Sequence, residues 1–448
     1  MLKKLILVPI IIGIMLSLGD ITPAWAGEID ILVDKLVEKG ILSPNEAKII
    51  LAETKQEAVK EKTKSGDMDV LWKDGLRIQT EDKKVELKIG GRVYADAGWM
   101  SEDSGLKEQV GKLNDTAEFR TARIYTEGTF LNNFIFKAEY DFAGGDADFK
   151  DVYLGYKGIP YLGTLKIGHF KEPFSLEELT SSRFITFMER SLGNAFVPGR
   201  NIGAALNNAF LGDAKHPRLT WAAGLFRDAN DFGNAAFNEW NFTTRVTGLP
   251  WYEDDGRKLL HIGAAYSYRP PHATVRYRTR PESHMAAYFI DTGNITAKNS
   301  NLIGLEAALV YGPFSLQGEL MQAFVDRTNG INNFYAGYGQ VSYFLTGENR
   351  VYKNSSGAFD RVRPKNDFNL FKLIDGDWTA LGAWEMAGRW SGINLLNHDI
   401  DTGILHDTTI GLNWYLNPNM RIMANYIHSN RNGIGYADLY QMRFQYDF

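Results

Sequence analysis

Beyond Leu76 the chain alternates apolar and polar residues with a period of two, the pattern of extended strands that present one greasy and one wet face. Phe134, Phe136, Ala138, Tyr140 and Phe142 interleave with Ile135, Lys137, Glu139 and Asp141. The same register recurs from Leu260 to Tyr268 and from Ile410 to Leu416. It recurs again where Trp240, Phe242, Thr244 and Val246 face away from Asn241, Thr243, Arg245 and Thr247. Segments run about 9 to 14 residues, long enough for a tilted strand to cross a bilayer and longer than the usual strand of a soluble sheet. About 17 candidate strands lie between Glu86 and Phe448, which the even-number rule for bacterial barrels turns into 16, with 18 as the alternative. The pattern therefore predicts an all-β, antiparallel transmembrane barrel over residues 76–448. Trp99, Trp251-Tyr252, Trp390 and Trp414-Tyr415 are expected near strand ends, in an interfacial girdle.

The first 26 residues read differently. Lys3 and Lys4, the apolar stretch Leu5 to Leu18, and Ala24-Trp25-Ala26 before Gly27 form a secretory signal pattern, too short in its apolar part for a membrane anchor. Residues 27–75 are expected to form a periplasmic helical arm and linker. Within it Gly40 stops one helix, and Ser43-Pro44-Asn45-Glu46 starts a second with an N-cap, a first-turn proline and a capping-box glutamate. A spacer role is favoured over a coiled-coil or docking role.

Composition narrows function. The 448 residues contain no Cys, which removes disulfides, thiolate metal sites, iron–sulfur clusters and a cysteine nucleophile. A net charge of −5, about −6 once residues 1–26 are removed, argues against a nucleic-acid binder. The eight histidines lie apart, and no metalloprotease, nucleophile-elbow or P-loop motif is present, so neither catalysis nor a metal or other cofactor is expected.

Two regions stand out. Val275-Arg276-Tyr277-Arg278-Thr279-Arg280 places three arginines at spacing two on one side of a strand, where they would line the lumen or an extracellular strand extension as oxyanion-binding forks. Barrel interiors also hold charge for structural reasons, and Asp96, Glu127, Glu139 and Glu385 are candidate acidic partners. The second region, about 171–202, breaks the alternation and is expected to fold into the lumen as a constriction loop carrying Arg183, Arg190 and Arg200.

Glu118-Phe119-Arg120-Thr121-Ala122-Arg123 through Glu127-Gly128, the stretch Lys166 to Phe174, Met188-Glu189-Arg190 and Arg278 to Glu282 together resemble the phosphate-selective porin O and P family. The resemblance implies a 16-stranded trimeric outer-membrane channel of a Gram-negative bacterium, narrowed by its third loop, with an arginine ladder leading to a narrow anion site. Carried onto this chain, Arg276, Arg278 and Arg280 form the ladder, Arg120 and Arg123 are lumen arginines, and Arg190 is the loop arginine. Lys137 and Arg245, on the wet faces of their strands, join the anion-binding set. Where a phosphate-selective member places a lysine in the constriction loop this chain has Glu177-Glu178, a departure from the family pattern, and two carboxylates there would repel an incoming dianion at close range. The C-terminal strand, ending in Tyr446-Asp447-Phe448, resembles the signal read by the outer-membrane assembly machinery. The expected function is passive diffusion of small anions, phosphate or a related oxyanion, within a bilayer containing lipopolysaccharide. Rival readings are an unselective porin, a barrel sheathing a partner such as a cytochrome and, more remotely, a barrel enzyme.

Overall fold

The computed structural model describes residues 33, 35–40, 42–52, 68–72, 74–213, 215–235, 239–270, 274–397 and 400–448, without the side chain of Asp401. It divides into two units, Met1–Met68 and Asp69–Phe448. In the first, the described residues are helical at 33, 35–38 and 44–52. Gly40 closes the earlier helix with φ +70°, a left-handed conformation that glycine adopts without a Cβ clash. The capping box forms as its residue spacing requires: the Ser43 N–H donates to Glu46 Oε2 at 2.9 Å and the Glu46 N–H to Ser43 Oγ at 3.3 Å. The signal pattern at 1–26 lies outside the described residues, as do residues 28–32 and 53–64 of the expected arm.

The second unit is a closed antiparallel barrel of 16 strands. They are β1 (Glu86–Glu102), β2 (Thr116–Phe130), β3 (Phe134–Asp141), β4 (Asp148–Ile159), β5 (Gly163–Lys171), β6 (Arg200–Gly212), β7 (Pro217–Arg227) and β8 (Asn241–Glu253). They continue as β9 (Lys258–Arg269), β10 (Asn299–Tyr311), β11 (Phe314–Arg327), β12 (Gly330–Phe344), β13 (Ala383–Asn397), β14 (Ile400–Asn417), β15 (Met420–Arg431) and β16 (Gly435–Asp447). Each strand pairs with the next, and β16 closes on β1 from Ala437↔Glu102 to Asp447↔Arg92. At the seam the Gly91 N–H donates to the Phe448 carbonyl at 2.9 Å. A Cβ at Gly91 would lie 2.8 Å from the Arg123 carbonyl oxygen of the neighbouring strand and 2.7 Å from the Phe448 ring, so this position favours glycine.

Burial is inverted relative to a soluble sheet. On β16 Tyr440, Met442 and Phe444 are exposed while Gln441, Arg443 and Gln445 are buried, and on β8 Phe242 and Val246 face out while Asn241, Thr243 and Arg245 face in. A wall that turns apolar side chains outward around a polar interior is stable only in lipid. On this account Ile262→Arg, on the outer face of β9, should destabilise the barrel by about 2 to 4 kcal/mol in a vesicle unfolding titration, and an unchanged midpoint would contradict the outward assignment.

Two members of the expected girdle are placed otherwise. Trp390 is the eighth of the fifteen residues of β13 and stacks on His406 well inside the strand. Tyr415 points into the lumen, where its hydroxyl donates to Glu385 Oε2 at 2.9 Å. Trp414, the neighbour of opposite parity, faces out.

The short turns between β2 and β3, β4 and β5, β6 and β7, and β14 and β15 share one end of the barrel with the C-terminus. The longer connections 103–115, 172–199 and 270–298 share the other. The rule of short periplasmic turns and long outer loops assigns these ends to the periplasm and the exterior. One periplasmic connection is long: residues 345–382, between β12 and β13, start from the periplasmic end and send a hairpin, Val351–Lys353 with Ala358–Asp360, into the lumen.

Candidate functional site

The connection 172–199 fills the barrel from the outer side. Phe174, Leu176, Phe187, Met188, Leu192 and Phe196 are buried, and their apolar bulk displaces water from the lumen. Opposite-wall side chains bind the loop backbone. The N–H groups of Leu176 and Glu177 donate to Glu319 at 3.0 and 2.8 Å, Arg421 donates to the Ile185 carbonyl at 2.9 Å, and Arg443 donates to that of Met188 at 2.6 Å. The periplasmic hairpin meets the loop from below, where the Phe359 N–H donates to Thr180 Oγ1 at 3.3 Å. The lumen is narrowed from both ends.

What remains beside the loop is a cavity of about 170 Å³. Nine lining side chains are Lys or Arg and three are acidic (Glu139, Asp151 and Glu189). Arg120 grips Glu189 through two bonds of 2.8 and 3.1 Å. Arg123 reaches Asp141 at 2.6 Å and Glu139 at 3.2 Å. Arg200 holds Asp151 at 2.7 Å, Lys137 lies 3.1 Å from Glu139, and Arg92 pairs with Glu139 and donates to Ser181 and Ser182. Behind them, Asp96, Asp141, Glu178 and Asp447 bind the same cations, which reduces the formal excess from six positive charges to two. Compensation of this degree leaves a site that attracts anions without trapping them.

Neighbouring cations favour the ionised form of two loop carboxylates, Glu178 and Glu189. Burial pushes the Glu189 carboxyl up, but Arg120 and Arg443 pull it well below the usual range. Burial likewise raises Glu178, and Arg190 and Lys171 more than offset it. Glu189 therefore keeps its charge as pH falls through the ordinary carboxylate range, and Glu178 ionises more readily than a free glutamate.

Toward the exterior, the 270–298 connection packs Tyr277, Phe289 and Ile290 against Leu192 and Phe196 of the constriction loop. The three arginines lie here rather than on a barrel strand. Their segment belongs to an inward-folded loop and pairs only within it, Arg278–Thr279 with Ile290–Asp291 and Val275 with Ile295. The alternation survives: Tyr277 is buried, while Arg278 and Arg280 sit over the ring of Tyr288 at 4.2 and 4.6 Å. Arg276 is held by Asp291, with its Nε 2.7 Å from Oδ1. A second cavity, about 300 Å³, is lined by Arg278, Arg280, His284 and Tyr288, and it shares Arg120, Glu189 and Arg190 with the first.

Three expectations need correction. Arg245 is not at either cavity: it is buried, donates from both Nε and Nη2 to the Glu306 carboxylate, with Nε 3.0 Å from Oε1, and donates to the Gly357 carbonyl of the periplasmic hairpin at 2.7 Å. Glu177 and Glu178 are not bare. Glu177 accepts from Arg389 at 3.0 Å and from the Ser191 hydroxyl at 2.8 Å, and Glu178 is clamped by Lys171 at 2.9 Å and Arg190 at 3.0 Å. Arg200 opens β6 instead of lying within the loop. Arg183 does belong to the loop, with its guanidinium 5.7 Å from the Tyr125 ring. Arg92 and Arg443 also line the cavity, with lumen parity on β1 and β16 as their only signal in the sequence, and so does Lys171, from the stretch 166–174 that carries the family resemblance.

The model of the phosphate-selective porin O and P family matches residues 87–448, essentially the whole barrel. The chain belongs to that family. Among phosphate-selective porins O and P it is similar to Porin O of Pseudomonas aeruginosa, with 29% identity over 433 residues, 86% of this chain and 94% of that protein. An uncharacterised protein of Caulobacter vibrioides is 27% identical over 383 residues, 82% of this chain and 72% of that one. The solved anion-selective porin from Comamonas acidovorans overlaps 81% of this chain and 100% of its own, at 13% identity and a TM-score of 0.47. As a phosphate-selective porin O and P family member the chain is an outer-membrane porin of a Gram-negative bacterium, a channel and not an enzyme.

Proposed function

We propose that this porin passes small oxyanions, phosphate foremost, by passive diffusion along its arginines. The observation that carries this reading is the sharing of Arg120, Glu189 and Arg190 by the outer and inner cavities, which makes Arg278 and Arg280 contiguous with the constriction cations. An anion leaving the outer loop meets Arg120 before it has lost Arg278 and Arg280. Guanidinium donors there replace part of its hydration shell. A sheath for a second protein would need an empty lumen, whereas this lumen is occupied by the chain's own loop and hairpin. The same reading includes a homotrimer assembled by the outer-membrane machinery after cleavage of residues 1–26. Cross-linking of the native protein and the mass of its mature chain test those two points.

The test is single-channel chloride current across a planar bilayer, with phosphate, sulfate or arsenate added. One or more oxyanions should block the current. Arg276→Ala/Arg278→Ala/Arg280→Ala should weaken that block by about tenfold, the equivalent of losing about one charge-assisted hydrogen bond. Large current indifferent to oxyanions and to the substitutions would instead make this an unselective porin.

A further inference from the structure

The periplasmic connection 345–382 does more than supply the lumen hairpin. After Arg363 pairs with Asp74 at the rim, the chain turns outward: the Phe368 N–H donates to the Leu416 carbonyl at 2.6 Å, and the Phe368 ring meets Trp414 edge-on, 5.0 Å between centroids. Trp414 shares the outward parity of Ile410 and Leu412, stacks on Trp384 at 5.0 Å, and donates its indole N–H to the Leu381 carbonyl at 2.8 Å. It lies three residues before the end of β14, about 10 Å from the periplasmic turn at the usual strand rise. This is the depth of an interfacial aromatic belt.

From that belt projects the helix Leu370–Ile374, followed by a turn at Trp378–Ala380. Asn369 caps the helix, its side chain accepting from the Lys372 N–H at 3.2 Å, so the short element is fixed in place. Its outer side is apolar: Leu370 is 55% exposed, Phe371 79%, Ile374 73% and Trp378 73%. Positions 370, 371 and 374 fall within one helical arc, and Lys372 leaves on another side. Four large apolar side chains within nine residues form a patch that water solvates poorly.

We propose that this helix and turn insert into the phospholipid of the periplasmic leaflet as a membrane-embedded foot of the barrel. The argument for lipid as occupant is continuity: the patch extends, through Phe368, the surface that Trp414 and Trp384 already present to the bilayer. An amphipathic element at that depth buries its apolar face at the headgroup and acyl boundary. The foot also explains why the periplasmic hairpin keeps its place in the lumen, since the segment that follows it is held by the membrane. This inference is independent of which solute the channel passes.

Because the chain has no cysteine, single labels are straightforward. Phe371→Cys and Trp378→Cys, with Glu81→Cys as a water-exposed control, would carry an environment-sensitive fluorophore in full-length protein refolded into phosphatidylethanolamine–phosphatidylglycerol vesicles. A heat-shift gel confirms that each variant is folded. Nitroxide-labelled phospholipid should quench the labels at 371 and 378 several-fold more than the label at 81, with aqueous iodide showing the reverse order. Iodide quenching at 371 and 378 equal to that at 81 would overturn the proposal. Protection from both quenchers would overturn it too, by showing that protein, either a second copy or the N-terminal arm, covers the patch.

Discussion

Replacing Arg120 and Arg183 together by glutamine should abolish most of the channel's preference for anions. The two guanidiniums are among the more solvent-accessible cations of the constriction, with 29% and 17% of their side chains exposed. Neither is irreplaceable to the loop: Glu189 keeps its 2.9 Å bond to Arg443 when Arg120 is removed, and Arg183 lies 3.7 Å from Asp447. Yet their two charges equal the whole excess left after the neighbouring carboxylates are counted. At about 6 Å and an effective dielectric near 20, each unit charge changes the energy of a passing monoanion by roughly 3 kcal/mol before ionic screening. The anion-to-cation permeability ratio, read from the reversal potential in a salt gradient, should therefore fall by at least about tenfold. A ratio unchanged in correctly folded protein would assign selectivity to other residues.

Arg389→Ala should open the pore and weaken the barrel at once. The Arg389 side chain is almost fully buried, 4.4 Å from the Phe187 ring, and joins three parts of the molecule. It bonds Glu177 at 3.0 Å and the Glu189 carbonyl at 2.9 Å in the constriction loop, and it pairs with Glu282 in the outer loop. Alanine leaves two buried carboxylates without their cation, a loss of about 3 to 5 kcal/mol by comparison with other broken buried pairs. With both loops released from β13, single-channel conductance should rise and the urea midpoint in vesicles should drop. Arg389→Lys keeps a charge but cannot reach all three partners, so an intermediate phenotype is expected. Wild-type conductance and midpoint in Arg389→Ala would contradict the anchoring role.

Alternation revealed the wall because lipid on one side and water on the other impose opposite chemistry on neighbouring residues. The outward Phe242 and Val246 and the inward Asn241 and Thr243 could be read directly from it. The same rule cannot distinguish lumen-facing residues from pore-lining ones. Arg245 and Lys137 have equivalent sequence signals, but the periplasmic hairpin covers the first while the second lines the cavity. That hairpin was invisible because nothing in a two-fold period tells whether an irregular segment hangs outside the barrel or folds into it. Glu177 and Glu178 misled for a related reason. Arg389, which holds Glu177, is 212 positions away in sequence, while Lys171 and Arg190 lie only 7 and 12 positions from Glu178 and reach it through the turns of the loop itself. Trp390 and Tyr415 show the limit of reading girdles from aromatic clusters, since depth depends on strand boundaries and facing depends on parity.

The most direct test of the central claim is the zero-current potential of the refolded wild-type channel across a potassium chloride gradient. A basic track through the constriction predicts a potential with the sign set by chloride, larger in magnitude at low ionic strength where screening is weak. A potential at zero, or with the sign set by potassium, would contradict it.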